Sequence, residues 1–319
     1  MCYRIFVILI ISLSFLISCK KDNTTNPELS LKITTLSPSA GCIGGLITIT
    51  GTGFGFSQGI VNFNGTVASV YSRWSDDVIE VNIPNGATSG KVSVIVNGLK
   101  SNEVDFIVHI FDTTIAINIF GQIWMKKNLD VDHYRNGDII PEVKDSVAWS
   151  KLTTGAWCYY NNDPVLGAIY GKLYNWYAVN DPRGLAPTSW HVPSEGEWTE
   201  LETNIHQYWG GYPEQVGGRM KETGTTHWKT PNEGANNVSG FTALPGGFRT
   251  FDAGFDTSHY SGIGEIGEWW SSTEWQPDRF YQAGAHYRVL DNTYSNIFNN
   301  GYGMDKRLGR SVRCVWDYR

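Results

Sequence analysis

The chain has 319 residues, 41% of them hydrophobic and 18% charged, with 25 basic against 31 acidic side chains for a formal net charge of −6. A negative balance without a Lys/Arg run argues against nucleic acid and anionic lipid headgroups as partners, since both are held mainly by counter-charge. The length exceeds one ordinary domain and predicts at least two.

Residues Ile5 to Ile17 are apolar apart from two serines and run into Leu16-Ile17-Ser18-Cys19. The stretch is short of the roughly 20 residues a membrane-spanning helix needs, and fits a signal-peptide apolar region of about 7–15. The pattern resembles bacterial lipoprotein precursors, which implies removal of residues 1–18 and acylation of Cys19 on its sulfur and its freed amine. Several acyl chains anchor stably where one is reversible. Arg4 alone supplies positive charge ahead of the apolar run, so an uncleaved anchor stays open, as does a secreted protein with an incidental Cys19. Residues 19–31 are polar, lack apolar periodicity and read as an extended tether. The expectation is a lipid-anchored outer-membrane protein facing the cell exterior, with the membrane as partner through its anchor.

From Lys32 to Val108 the chain reads as short strands closed by turn chemistry. Leu46-Ile47-Thr48-Ile49-Thr50 alternates until Gly51-Thr52-Gly53-Phe54-Gly55. Ile60-Val61-Asn62-Phe63 meets Asn64-Gly65, a pair that accepts positive φ at both turn positions, and the chain resumes at Val67. Val78 to Ile83 ends at Pro84-Asn85-Gly86, Lys91 to Val96 ends at Asn97-Gly98, and Val104, Phe106 and Val108 alternate again. About seven strands in this length fit an immunoglobulin-like sandwich.

Ile33-Thr34-Thr35-Leu36-Ser37-Pro38, Ile47-Thr48-Ile49-Thr50-Gly51-Thr52-Gly53-Phe54 and Val61-Asn62-Phe63-Asn64-Gly65 resemble the IPT/TIG family of immunoglobulin-like domains. That resemblance implies a spacer or a sugar-binding accessory, presenting rather than reacting. Trp74 can stack on a sugar, but packing is the commoner use of a large aromatic. Cys42 reads as a small buried apolar residue.

Composition changes near His109 to Asp112: twelve of the thirteen tryptophans follow, and residues beyond 108 carry all of the −6. Residues 112–319 are rich in Gly, Trp and Tyr, implying long loops held by aromatics. One helix stands out at Ser194-Glu195-Gly196-Glu197, a capping box after Pro193, with Trp198, Leu201, Ile205 and Tyr208 on one face and Gly210-Gly211 as its stop. A second is predicted from Tyr170 to Val179 with Leu173, Trp176 and Tyr177 inward. Val312, Cys314 and Trp316 predict a buried final strand. In an exported protein the default for Cys158 and Cys314 is a disulfide, closing a loop of about 155 residues; two buried thiols are the alternative.

Gly121-Gln122-Ile123-Trp124-Met125-Lys126-Lys127-Asn128-Leu129, Tyr170-Gly171-Lys172-Leu173-Tyr174-Asn175-Trp176, Trp190-His191-Val192-Pro193-Ser194, Ser239-Gly240-Phe241-Thr242-Ala243-Leu244-Pro245-Gly246-Gly247-Phe248-Arg249, Trp269-Trp270-Ser271-Ser272-Thr273 and Ser311-Val312-Arg313-Cys314-Val315 together resemble the Fibrobacter succinogenes major paralogous domain. Family members usually carry Gly where Ser189 precedes Trp190. The resemblance implies an exported protein and brings no enzymatic activity with it. At fold level alone the pattern is similar to C-type-lectin-like domains and to the formylglycine-generating-enzyme fold, whose close pair of redox cysteines has no counterpart here. The expected fold class is mainly β with an α+β C-terminal part: an immunoglobulin-like sandwich followed by a loop-rich C-type-lectin-like domain.

His191, His227, His259 and His286 miss the short spacings typical of a transition-metal site, and His191 reads as hydrogen-bonded in the core. Glu265, Glu268 and Glu274 flank Trp269-Trp270, so a glycosidase pair or a Ca²⁺ site is open beside the reading as solvated loop acids. No nucleophile-elbow, phosphate-loop or dinucleotide fingerprint appears. The segments Asp252 to Trp270 and Asp291 to Lys306 supply Asp256, His259, Tyr260, Asn292, Tyr294, Asn296, Asn299 and Asn300 in Gly-rich surroundings, a loop surface suited to stacking on sugars and fixing hydroxyls. Trp176, Trp198 and Trp316 read as core. The function these residues predict is non-catalytic recognition of extracellular glycan or protein, with a polysaccharide hydrolase using Glu265 and Glu268, or a structural envelope protein, as alternatives.

Overall fold

The computed structural model describes residues 30–251, 257–276, 284–299 and 303–317. Cys19, Asp256 and Asn300 lie outside them, together with the signal segment and nearly all of the tether. Among the described residues no helix is long and apolar enough to cross a membrane.

The N-terminal part is a two-sheet sandwich. One sheet runs Lys32–Ser37, Leu46–Thr52, Val78–Asn82, Tyr71–Trp74, antiparallel throughout. The other runs Ala40–Gly41, Val104–Val108, Gly90–Val96, Ile60–Phe63, Thr66–Val67, with Leu99–Lys100 also on Gly90–Val96. Alternation does the work the sequence predicts: Ile47, Ile49, Val61, Phe63, Val92 and Val94 are buried between the sheets, with Phe63 edge-on to Phe106 at 5.6 Å. At Asn64-Gly65 φ is 45° and 97°, as a two-residue turn matched to strand twist requires. Trp74 is half-buried against this core and donates to the Phe54 carbonyl at 3.1 Å, so it packs.

The C-terminal part is α+β. A four-stranded sheet, ordered Ala116–Ile119, Gln122–Met125, Val315–Trp316, Trp190–His191, ties the start of the module to its end. A five-stranded sheet follows the order Ser258–Ile263, Gly246–Phe251, Ile266–Trp275, Gly284–Asp291, Ile297–Phe298. The helix Glu195–Trp209 has the predicted capping box between Ser194 and Glu197 and buries Trp198, Leu201 and Ile205. Tyr208, expected on that inner face, is 70% exposed and packs on Phe120 and Trp209 at the rim. The helix expected over Tyr170 to Val179 is instead two, Pro164–Tyr170 and Trp176–Val179, separated by the strand Leu173–Tyr174. Gly171 at φ 78° ends the first and the Asn175 side chain caps the second.

Aromatic rings and cations build the interior. Trp124, Trp149, Trp176, Trp198, Trp228, Trp269 and Trp270 are all fully buried, and most of these indole N–H groups find an acceptor: Trp149 donates to the Arg307 carbonyl at 2.7 Å, Trp176 to that of Ser271 at 2.8 Å, and Trp270 to that of Tyr174 at 2.9 Å. Arg249, Arg288, Arg310 and Arg313 are equally buried. Arg249 stacks on Trp149 at 4.4 Å while donating to the carbonyls of Val143, Lys144 and Asp145. Arg313 stacks on Phe241 at 4.3 Å and donates to Asn128 Oδ1. Loops without regular ladders leave carbonyls unmet in the core, and a guanidinium with five donors satisfies several at once.

Cys158 and Cys314 are not joined. Both are free, buried thiols in separate core clusters, Cys158 beside Trp149, Tyr160 and Leu173, and Cys314 beside Trp190, Trp270 and Val312. Burial pushes both thiols up. Export permits a disulfide without placing two sulfurs within bonding reach.

Candidate functional site

The residues expected to form a loop surface divide between opposite edges of the five-stranded sheet. His259 is exposed on the edge strand Ser258–Ile263. Next to it Tyr260 donates to Asn162 Oδ1 at 2.8 Å and lies under Arg249, with its ring 5.0 Å from the guanidinium. Asn292, Tyr294, Asn296 and Asn299 belong to the other edge. Asn292 is buried and donates to the carbonyls of Lys229 and Thr230. Lys221, fully buried, donates to the carbonyls of Asp291 and Tyr294 at 2.9 and 2.8 Å and pins this turn; burial without a carboxylate partner lowers its amine to about 8. Tyr294 is exposed and packs edge-on to Phe298. Asn296 lines a small hollow with Glu202 and His206, and Asn299 donates to Glu195 Oε1 at 2.5 Å.

Glu265 and Glu268 lie in unlike surroundings. Glu265 is exposed at the turn between the strands Ser258–Ile263 and Ile266–Trp275 and pairs with Lys229 at 2.7 Å. Glu268 is buried and meets Arg310 Nε at 2.5 Å, a close ion pair whose geometry is not that of a hydrogen bond. Burial pushes the Glu268 carboxyl up against the pull of Arg310. Glu274 pairs with Lys306.

His191 lies between two carboxylates, with Nδ1 on Asp317 Oδ1 and Nε2 on Glu197 Oε1 at 2.8 Å. Burial opposes the charged ring, but the hydrogen bonds and charges of Glu197 and Asp317 outweigh it and raise His191. Glu197, desolvated yet held by His191 and Ser194, is lowered to about 2. Both ring nitrogens are committed, so the cluster serves as a clamp between the Trp190–His191 strand, the helix start and the chain end. It is more exposed than the expected core histidine.

A cleft of about 780 Å³ opens between the two parts of the chain, continuous through Leu46, Phe120 and Asn204 with a second hollow of about 450 Å³. The N-terminal sandwich contributes Leu46, Val70, Asn82 and Asn85, and the helix contributes Asn204, Gln207 and Tyr208. Between them stands the turn Phe120-Gly121, which joins the strands Ala116–Ile119 and Gln122–Met125. Asn118 braces that turn by accepting from the Gly121 amide at 2.7 Å and donating to the Ile43 carbonyl across the junction. Gly121 lies so close to Gly45 that a Cβ there falls 2.8 Å from the Gly45 Cα.

Phe120 adopts φ 51° and Gly121 φ 92°. A hairpin turn of this kind favours Asn at its first position, and a residue with a Cβ in the left-handed region costs on the order of 1–2 kcal/mol. The outlier places the Phe120 ring 4.6 Å from that of Tyr208 and 5.0 Å from that of Trp209. None of these cleft residues stood out as a site in the sequence. The usable signals were an aromatic in place of Asn before a turn glycine, and amides rather than charges at Asn204 and Gln207.

A family model of the Fibrobacter succinogenes major domain matches residues 117–316, and one of the IPT/TIG domain matches residues 31–108. No curated protein sequence matches the chain. Among solved structures, the gamma-CGTase of Alkalophilic bacillus clarkii is 13% identical with a TM-score of 0.24, over 89% of this chain and 25% of that one. A candidate phosphatase of Bacteroides thetaiotaomicron VPI-5482 is 14% identical with a TM-score of 0.23, over 46% of this chain and 30% of that one. The chain thus spans less than a third of either protein. The pairing of the two domains points to a surface or adhesion-type protein. With the match covering more than half of its length, the chain belongs to the Fibrobacter succinogenes major domain family and carries an IPT/TIG domain ahead of it.

Proposed function

We propose that the protein is an envelope lipoprotein, anchored in the outer membrane through Cys19 and facing outward, that recognises an extracellular glycan or protein without chemical turnover. The observation that carries the recognition reading is the contrast between its acids and its concave surface. Glu268 is enclosed with Arg310, whereas the cleft is lined by amides, aliphatic side chains and the rings of Phe120 and Tyr208, groups that bind rather than transfer protons. An IPT/TIG domain ahead of the family domain supports presentation away from the membrane.

Two measurements test it. Palmitate labelling in cells is expected for the wild type and lost in Cys19→Ser; unchanged labelling in the variant removes the anchor. Purified protein on a glycan and surface-protein array is expected to retain a ligand without degrading it. Polysaccharide turnover by the folded wild-type protein replaces this reading with a hydrolase.

A further inference from the structure

We propose that the cleft between the two domains is a site for a neutral oligosaccharide, seated on Phe120 and Tyr208 and read by the amides of Asn85, Asn204 and Gln207. This rests on the recognition reading above and names its site and ligand class. Indole, phenol and phenyl faces match the apolar C–H faces of sugar rings, and a primary amide both donates and accepts, as a hydroxyl requires. Tyr208 is 70% exposed although it falls on the apolar stripe of its helix, and it lies against Phe120. Among the described residues the side-chain amides of Asn85, Asn204 and Gln207 hold no hydrogen bond to protein, in contrast to Asn118, Asn128 and Asn175, which are engaged through both oxygen and nitrogen.

Charge decides which saccharide. Among the described residues, the lining of the cleft and of the hollow that continues it contains no Lys or Arg, and its one carboxylate is Glu200. An anionic sugar meets no Lys or Arg in this lining, in a chain already at −6. An extended peptide is the competing occupant, since the edge strand Tyr71–Trp74 borders the cleft. That strand has four residues and a register shift between Tyr71 and Arg73, which breaks the regular ladder a docked strand needs.

The test is titration of full-length protein in detergent with neutral oligosaccharides, uronate-containing oligosaccharides of matched length, and extended peptides. Neutral sugars are expected to bind, and Tyr208→Ala and Asn204→Ala are expected to weaken binding about tenfold each with unfolding midpoints close to wild type. Tyr294→Ala and Asn299→Ala, on the far sheet edge, are expected to leave affinity within about twofold. Neutral-sugar binding that survives both cleft variants overturns the cleft while recognition stands. Preference for uronates or for peptide overturns the ligand class. Binding of none of the probes removes the glycan arm of the recognition reading as well.

Discussion

The Arg310 guanidinium lies between the rings of Trp270 and Tyr287, 4.3 and 4.1 Å from their centroids, with its Nε 2.5 Å from a carboxylate oxygen of Glu268. Cation, two aromatic faces and carboxylate are all removed from water. The pair therefore belongs to the core, and its removal has a predictable pattern. Arg310→Met strands a buried carboxylate and is expected to cost on the order of 3–5 kcal/mol in urea unfolding. Glu268→Leu together with Arg310→Met is expected to recover most of that loss; a double variant as unstable as the single one counts against the pairing.

The clamp around His191 makes stability pH-dependent in two directions. His191 is raised in the folded state, so its contribution is complete below its unfolded value near 6.5 and fades as pH rises through the folded value. Glu197 is lowered to about 2, so its contribution is complete above its unfolded value near 4.5 and fades as pH falls toward 2. Thermal unfolding is expected to show the combined contribution at full strength between roughly pH 4.5 and 6.5. Asp317→Asn is expected to lower the His191 titration followed by NMR; an unmoved titration means that Asp317 does not hold the ring.

The thiol state of the C-terminal domain is open to direct measurement. Cys158 and Cys314 are free and buried, so unfolding without reductant is expected to expose both to a thiol reagent. Adding reductant is expected to leave the unfolding midpoint unchanged. A midpoint that falls with reductant restores a bridge between them.

The helix entry provides a local test. Ser194 accepts from the Glu197 amide and its own amide donates to the Glu197 carboxylate at 2.9 Å. Ser194→Ala is expected to cost about 1 kcal/mol, whereas Trp198→Ala, emptying a fully buried site, is expected to cost about 3–5 kcal/mol. Equal costs in chemical denaturation contradict the division between cap and core.

Legibility in the sequence followed the range of the interaction. The Asn64-Gly65 hairpin, the alternation of Leu46 to Thr50 and the Ser194 capping box were readable because each is settled within a few residues of chain. The break at Gly171 was present in the sequence yet was overridden by an apolar spacing that suited a longer helix. Asn292 and Tyr260 read as loop-surface residues because nothing nearby in the chain announces their partners: Asn292 bonds across 62 and 63 residues and Tyr260 across 98.

What the sequence determined by itself was the run of strands in the N-terminal sandwich, the two domains and the family, since periodicity, turn residues and motif spacing are one-dimensional properties. Only the tertiary structure decided that Glu268 belongs to Arg310, that the two cysteines stay apart, and that Phe120 meets Tyr208 beside the N-terminal sandwich. Those outcomes depend on which distant groups share a desolvated volume. Burial and charge pairing act across space, so the same residue type is a site candidate in the string and a core strut in the fold.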